Sequence, residues 1–309
     1  MTESSTHDGV SVVIPHYGDP ALAMSLVDEL RKQTGSRHIQ IIVSDDHSPE
    51  PFPIESGPDC EVLRRTTNGG FGSAVNSGAA LATQPLLLIL NSDLHIGPSF
   101  VDDLCREASP WMPAVAAPAI IGDDGSLAFT ARRFPTIARS TIAWLEPLAR
   151  WRATGMWHRL VGHETRIGRG QTGICDWLVG AVLLIPTEEF GKLGGFDERF
   201  FMNSEEVDLQ RRARSNGLPS VIIGNIEVVH SGGGSSDEQR RLLWLTQGQW
   251  RYFDKWNGAG RARVFKVALL TACLCNLAWN SVRSLVGRDV HPVQKFRSSY
   301  VVIRDASHR

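Results

Sequence analysis

The chain has 309 residues, of which 42% are hydrophobic and 21% charged, with a formal net charge of -1. Such a composition is ordinary for a soluble globular protein, is long enough to bury a sizeable core without staples, and singles out no partner by overall charge. The charge is unevenly spread: residues 251–309 hold 11 Lys/Arg against 3 Asp/Glu, a net of +8, which leaves 21 against 30 over residues 1–250, a net of -9. A basic tail on an acidic body points the tail toward an anionic partner, either membrane or nucleic acid.

Residues 1–9 are polar and predict a disordered N-terminus with no secretory leader. Residues 10–14 are a short apolar, β-branched run closed by Pro15, and read as a buried strand. Residues 21–33 carry Leu22, Leu26 and Leu30 at helical spacing, and Gly35 stops them. A second strand covers 39–43 and ends in Ser44-Asp45-Asp46, and a third covers 61–64. Residues 71–82 are helical after a glycine turn. Five apolar residues, 86–90, predict a central strand covered on both faces. A helix over 100–108 and a strand over 115–121 follow.

Strand and helix therefore alternate over residues 10–121, which predicts an α/β fold with a mainly parallel sheet and helices on both faces. Ligands of such sheets bind at the carboxyl ends of the strands. Three of those ends carry polar clusters: Pro15-His16-Tyr17, Ser44-Asp45-Asp46 and Asn91-Ser92-Asp93.

Residues 122–174 read as a long irregular insert. An apolar strand over 177–186, a turn after Phe190, a helix over 205–216 and two short strands at 221–223 and 227–230 come next. Gly232 to Ser236 read as a flexible loop, followed by helices over 238–256 and 264–286. The last of these is bordered by Arg261, Arg263, Lys266 and Arg283. Two readings of it stay open: a helix lying in the membrane interface over 261–286, or one packed on the catalytic domain. No apolar run reaches the roughly 20 residues that span a bilayer, residues 267–279 coming nearest. Nucleic acid is the weaker choice of anionic partner, since no recognition motif accompanies the charge. The cysteines, Cys60, Cys105, Cys175, Cys273 and Cys275, are odd in number and form no CxxC pair, which predicts a reduced, cytoplasmic protein.

Several residues at these ends suit chemistry. Asp93 is either a turn acid or a ligand for a hard divalent cation. Asp45 and Asp46 are either turn residues or acceptors for a nucleotide base or ribose. The Gly70-Phe71-Gly72 turn lacks the third glycine of a dinucleotide fingerprint, because Val75 stands there, yet a glycine turn at a helix start favours a nearby anion. Glu205 and Glu206 open a helix, either serving its dipole or supplying a general base. His230 is either structural or a metal ligand opposite Asp93.

Taken in order, these segments resemble one family. They are Ser11-Val12-Val13-Ile14-Pro15, Val43-Ser44-Asp45-Asp46-His47-Ser48, Asn68-Gly69-Gly70-Phe71-Gly72 with Asn76-Ser77-Gly78, and Leu90-Asn91-Ser92-Asp93. Further on come Trp177-Leu178-Val179-Gly180-Ala181, Gly194-Gly195-Phe196-Asp197, Glu205-Glu206-Val207-Asp208-Leu209 and Val229-His230-Ser231-Gly232. The pattern resembles the family 2 glycosyltransferases of GT-A fold, within them the bacterial rhamnosyltransferase branch that acts on polyprenyl-diphospho-N-acetylglucosamine.

The resemblance covers residues 10–256 and implies a catalytic domain there. Residues 10–121 would form its nucleotide-binding half, 122–256 its acceptor-binding half, and 257–309 a basic helical extension. It implies a nucleotide-sugar donor, dTDP-L-rhamnose in that branch, contacted by Pro15, Tyr17, Asp45, Asp46, Asn68, Gly70, Asn76, Asn91, Asp93, Trp177 and Gly180. It implies Mg2+ or Mn2+ on Asp93 and His230, Glu206 or Glu205 as the base, an inverting reaction, and a lipid-linked or glycan acceptor met at the cytoplasmic face of the membrane. The family commonly has Asp where Glu206 stands, and aromatic residues where this chain has Asn203-Ser204. UDP-hexose and galactofuranose transferases share these motifs. A sugar-1-phosphate nucleotidyltransferase would need a Gly- and Arg/Lys-rich loop after the first strand, which His16-Tyr17-Gly18-Asp19 does not supply, and the intact Asp93, Glu206 and His230 set argues against an inactive sugar-binding protein.

Overall fold

Seven consecutive residues, Val10–His16, are all buried, a pattern that requires a strand covered on both faces. In this computed structural model, which describes residues 9–53, 56–167, 169–230 and 237–307, that strand is β1. It is followed by α1 (Ala21–Arg31), β2 (Ile39–Asp45), β3 (Glu61–Arg64), α2 (Phe71–Ala79), β4 (Leu86–Leu90), β5 (Leu94–His95), α3 (Phe100–Ala108) and β6 (Val115–Ile121). Then come β7 (Ala131–Arg132), α4 (Ile137–Trp144), α5 (Gly155–Val161), β8 (Thr172–Cys175), β9 (Trp177–Leu178) and β10 (Val182–Pro186). The chain continues through α6 (Thr187–Lys192), α7 (Glu205–Ser215), β11 (Ser220–His230), α8 (Glu238–Leu285) and α9 (Pro292–Ala306).

The main sheet runs β3-β2-β1-β4-β10-β6-β11-β5, with β8 paired to β11. β1 is parallel to β2 and β4, β2 to β3, and β6 to β11. β10 is antiparallel to both β4 and β6, and β5 and β8 are antiparallel to β11. The expected mainly parallel sheet is thus a mixed one, with an antiparallel strand at its centre. Side chains alternate between its faces with the strand period of two. Val12, Ile14, Leu88, Leu90, Val182 and Leu184 pack toward α1 and α3, whose Leu26, Leu30, Val101 and Leu104 they meet. Val13, Leu87, Ile89, Leu183 and Ile185 pack on the other face with Val75 of α2, Phe190 of α6 and Leu209 of α7. Each such fully buried side chain contributes on the order of 1.5–3 kcal/mol.

The structure departs from the sequence reading in further places. Residues 122–174 are not irregular: they contain β7, α4, α5 and β8. The apolar run expected as one strand over 177–186 breaks at Val179-Gly180-Ala181 into β9, which pairs with β7, and β10. The two short strands expected at 221–223 and 227–230 are one strand, β11, whose register shifts between Ile223 and Glu227. The turn expected after Phe190 is present at residues 193–195, directly after α6. The loop expected over 232–236, and residues 1–8 of the expected N-terminal tail, lie outside the described residues.

The chain divides into two compact units. The first comprises residues 1–132, 166–201 and 205–235 and contains both sheets. The second comprises 133–165, 202–204 and 236–309. Within the second, α8 bends at Gly258, whose φ of +81° a glycine tolerates, and packs on α4 and α9. Buried Asn280 donates to Glu146 Oε2 at 3.0 Å, and Asn276 accepts from Glu146 N at 2.9 Å, which fixes α8 against the segment after α4. α8 also contains an 18-residue stretch apolar enough to cross a bilayer, one-third of it buried within the protein. The sequence reading had found no such stretch.

One buried side chain ties the broken strand to the helix beneath it. Gln210, with no exposed surface, accepts from Leu178 N at 2.8 Å and donates to Leu178 O at 2.8 Å and to Glu206 O at 3.1 Å. Gln210→Leu orphans both backbone groups of Leu178, and is expected to lower the unfolding free energy by about 2–4 kcal/mol. Urea denaturation checks this; a loss below about 0.5 kcal/mol would show that β9 does not depend on that side chain.

Candidate active site

The registers Val10↔Ile39 and Val10↔Leu86 bring the carboxyl ends of β1, β2 and β4 to one edge of the sheet. The acids expected at β2 are there but turned inward. Asp45 has no exposed surface; its Oδ1 accepts from Ser48 N at 2.8 Å and its Oδ2 from Arg64 Nη1 at 2.8 Å. Arg64 Nη2 donates to Ser48 O at 2.8 Å, closing the turn. Asp46 accepts from Gly69 N at 3.0 Å and Gly70 N at 2.7 Å, with Arg65 Nε at 3.2 Å. Both carboxylates, expected at the nucleotide, also hold the loops around that edge, because a buried charge must find partners inside the protein.

The loop that Asp46 holds cannot be built from other residues. Gly70 has φ +86°, and a Cβ there would lie 1.8 Å from Phe201 O. Phe71 N, opening α2, donates to that same carbonyl at 3.1 Å. Asn76, also expected at the nucleotide, is a clamp: it donates to Phe196 O at 2.9 Å and Glu198 Oε1 at 3.1 Å and accepts from Phe196 N at 2.8 Å. Asn68 is exposed beside the turn. Pro15 is buried opposite Ser44, and Tyr17 is 53% exposed at the same edge, so its ring is open to a ligand. His16 between them is buried against Phe52, ring centroids 5.1 Å apart, and burial pushes its pKa down.

At the end of β4 the polar residues Asn91, Ser92 and Asp93 are half-buried. Asp93 Oδ1 lies 2.9 Å from His230 Nε2, placed there by the pairing of Leu94 with His230. Burial works against ionisation of Asp93, but the hydrogen bond and charge of His230 outweigh it and hold the carboxyl below its ordinary value. The Oδ1 of Asn91 is buried without a hydrogen-bond partner. Asn91 N donates to Ala181 O at 2.8 Å, so the loop before β10 lies against the end of β4.

That contact joins the two halves of the site. Gly180 precedes Ala181, and a Cβ on Gly180 would come within 3.1 Å of Glu206 Cβ. Of the three acids opening α7, Asp208 is spent on Arg212 Nε at 2.9 Å, and Glu205 is only 4% exposed, whereas Glu206 is half-buried beside Gly180. The two residues before α7, Asn203 and Ser204, have φ of +69° and +73°, a strained conformation of the kind that clusters at functional sites.

Trp177 is buried and stands opposite Arg132 in the β7–β9 pair. The Arg132 guanidinium lies over its ring, 5.6 Å from the centroid, and Nε donates to Phe129 O at 3.1 Å. Burial pushes the Arg132 pKa down, while the charge of Glu206 raises it. Sequence reasoning missed Arg132 because residues 122–174 were read as an irregular insert; the only signal was an Arg pair before Phe134-Pro135.

The arrangement thus offers an acid–imidazole pair, a half-buried carboxylate beside Gly180 and a guanidinium stacked on Trp177. Oxygen and imidazole donors at Asp93 and His230 suit a divalent cation such as Mn2+ or Mg2+. Among the described residues no group of three or more His, Cys, Asp or Glu is placed to hold a metal. A cation on this pair would therefore complete its shell from a diphosphate and water, as Mg2+ commonly does.

Comparison with known proteins places this geometry. The model of glycosyl transferase family 2 matches residues 11–159. The N-acetylglucosaminyl-diphospho-decaprenol L-rhamnosyltransferase of Mycobacterium tuberculosis is 31% identical over 235 residues, 70% of this chain and 72% of that protein. The mannosyltransferase PcManGT from Pyrobaculum calidifontis, solved with GDP-Man and Mn2+, superposes with a TM-score of 0.58 at 12% identity, over 97% of this chain and 86% of that one. GalNAc-T7, solved with UDP, GalNAc and Mn2+, superposes with a TM-score of 0.54 at 15% identity, over 81% of this chain. The matched region spans about half of that second chain, 51%. At these identities the solved structures speak for the fold.

The inward-turned acids make a prediction of their own. Asp45→Ala strips Arg64 and Ser48 N of their acceptor; with Arg64 35% exposed, the loss in unfolding free energy is expected to be about 1–3 kcal/mol. Full stability in a thermal or urea melt, with only nucleotide affinity reduced, would return Asp45 to the binding surface.

Proposed function

This chain belongs to glycosyl transferase family 2, and from that premise we propose that it moves L-rhamnose from dTDP-L-rhamnose to a hydroxyl of a sugar carried on a polyprenyl diphosphate. It is a glycosyltransferase with the GT-A fold. The rhamnosyl donor and lipid-linked acceptor are supported by the mycobacterial relative. The observation that carries the site assignment is the hydrogen bond from Asn91 N to Ala181 O: it sets the Asp93–His230 pair and, through Gly180, Glu206 at one end of β4.

Asp93 and His230 would hold Mg2+ or Mn2+ bound to the donor diphosphate, and when bound that ion neutralises charge gathering on the departing group. Pro15, Tyr17, Asn91 and Trp177 line the donor's surroundings, while Asp45, Asp46 and Asn76 hold the loops in place. Glu206 accepts the proton of the acceptor hydroxyl as its oxygen bonds to the anomeric carbon. The bond from that carbon to the diphosphate oxygen breaks, and its electron pair leaves with dTDP. Displacement from the opposite face inverts the centre, so a β-linked donor gives an α-L-rhamnoside. Glu206 is chosen over Glu205 because it keeps some exposed surface beside Gly180, whereas Glu205 is buried.

A lipid-linked acceptor places the enzyme at a membrane surface. Val264, Val267, Leu274, Val282 and Leu285 are exposed along α8, from 53% to 87%, and Thr271, Cys275 and Ala278 continue the stripe without a charge. Arg261, Arg263 and Arg288 flank it, which is the pattern of a helix lying in an anionic bilayer's interface.

Thermal melting with Mn2+ is expected to show stabilisation by dTDP-L-rhamnose that Asp93→Ala and His230→Ala each abolish; stabilisation by UDP-sugars alone would overturn the rhamnosyl donor. Glu206→Gln is expected to lower kcat by roughly 10²–10⁴-fold in a transfer assay while Glu205→Gln retains more activity; the reverse order would move the base to Glu205. Co-sedimentation with anionic vesicles is expected for the native chain and strongly reduced for Leu274→Glu/Val282→Glu, and unchanged binding would place the membrane contact elsewhere.

A further inference from the structure

We propose that Arg132 is an anion-binding residue, and that it receives the diphosphate of the acceptor beside the base. The proposal rests on the reading of the acceptor as a diphosphate-linked sugar and goes beyond it by naming where that diphosphate is held.

Other arginines of the same unit with little exposed surface are matched to carboxylates: Arg65 to Asp46 at 3.2 Å, and Arg212 to Asp208 at 2.9 Å as well as to the carbonyls of Leu193 and Gly195. Arg132 is partly buried too, yet it has only Phe129 O on its Nε and the face of Trp177 under its plane. Among the described residues neither terminal nitrogen has a hydrogen-bond acceptor, and the nearby Glu206 acts on it by charge without forming an ion pair. Desolvating a guanidinium without an acceptor on its outer nitrogens is costly unless a ligand supplies one.

The Arg132↔Trp177 register, the Nε hydrogen bond and the stacking on Trp177 all restrain the side chain, so little entropy is lost when its two outer nitrogens are used. A planar fork restrained in that way matches two oxygens of a phosphate.

Arg132 stands opposite Trp177 in the β7–β9 pair, and the next residue of β9, Leu178, is tied through Gln210 to the backbone of Glu206. The donor's diphosphate has its place at Asp93–His230, so the cation beside the base is left for the acceptor. In a sugar diphosphate the reactive hydroxyl and the anomeric phosphate lie across one ring from each other. A hydroxyl presented to Glu206 therefore carries its phosphate to the neighbourhood of Glu206, where Arg132 stands.

The test uses the full chain with Mn2+ and saturating donor, and two acceptors with the same sugar: a short prenyl diphosphate conjugate and a neutral alkyl glycoside. Arg132→Gln is expected to raise KM for the diphosphate acceptor roughly 10–100-fold, as the loss of a charge-assisted pair implies, with KM for the neutral acceptor and for the donor changed less than about threefold. Arg132→Lys, which keeps the charge and the fold but not the fork, is expected to fall between. Equal losses on both acceptors, or a rise in donor KM, would overturn the proposal while leaving the acceptor reading intact. A wild-type enzyme with no preference for the diphosphate acceptor would overturn both.

Discussion

The insertion of β10 between β4 and β6, antiparallel to both, is the constraint on which the proposed site depends. Because Val182 pairs with Leu90, the chain enters β10 at the edge where β4 leaves. Asn91 N then donates to Ala181 O, and Gly180 lies one residue before it. Had β10 run parallel, its carboxyl end would reach that edge instead, and the Val179-Gly180-Ala181 loop would sit at the far side. Glu206, which packs against Gly180, and the Trp177–Arg132 pair would go with it. A single strand direction therefore decides that the proposed metal pair and the proposed base serve one ligand.

The acids at this edge divide by what surrounds them. Asp45, Asp46 and Asp208 are buried, and each is answered by an arginine, backbone N–H groups or both. They are part of the framework: they hold the turns, the glycine loop and α7 in register. Asp93 and Glu206 keep exposed surface and lie where strands and helices end. A carboxylate that the protein has fully satisfied has little left for a ligand, and one left partly open at a strand end has.

How much of this was legible in the sequence follows the same division. The largely buried strands β1, β2 and β4 were readable because each is a short run rich in apolar residues, and polar triplets close them at one edge of the sheet. Asp93, Glu206 and His230 stood out because each closes a strand or opens a helix, and the structure sets Asp93 beside His230. The internal partners of Asp45, Asp46 and Asn76 were not legible, since sequence shows that a polar residue ends a strand but not which way it turns. The segment over 122–174 hid Arg132, because β7 is only two residues long and takes its shape from β9, far along the chain. Non-local pairing of that kind leaves no local periodicity to read.

The account's central claim is that Asp93 and His230 anchor the cation of the donor site. The most direct test is a crystal of the full chain soaked with Mn2+ and dTDP, recorded at a wavelength where manganese scatters anomalously. The account predicts one strong anomalous peak within bonding distance of an Asp93 carboxylate oxygen and His230 Nε2, with the diphosphate completing its shell. Nucleotide bound without such a peak, or a peak held by other residues, would contradict it.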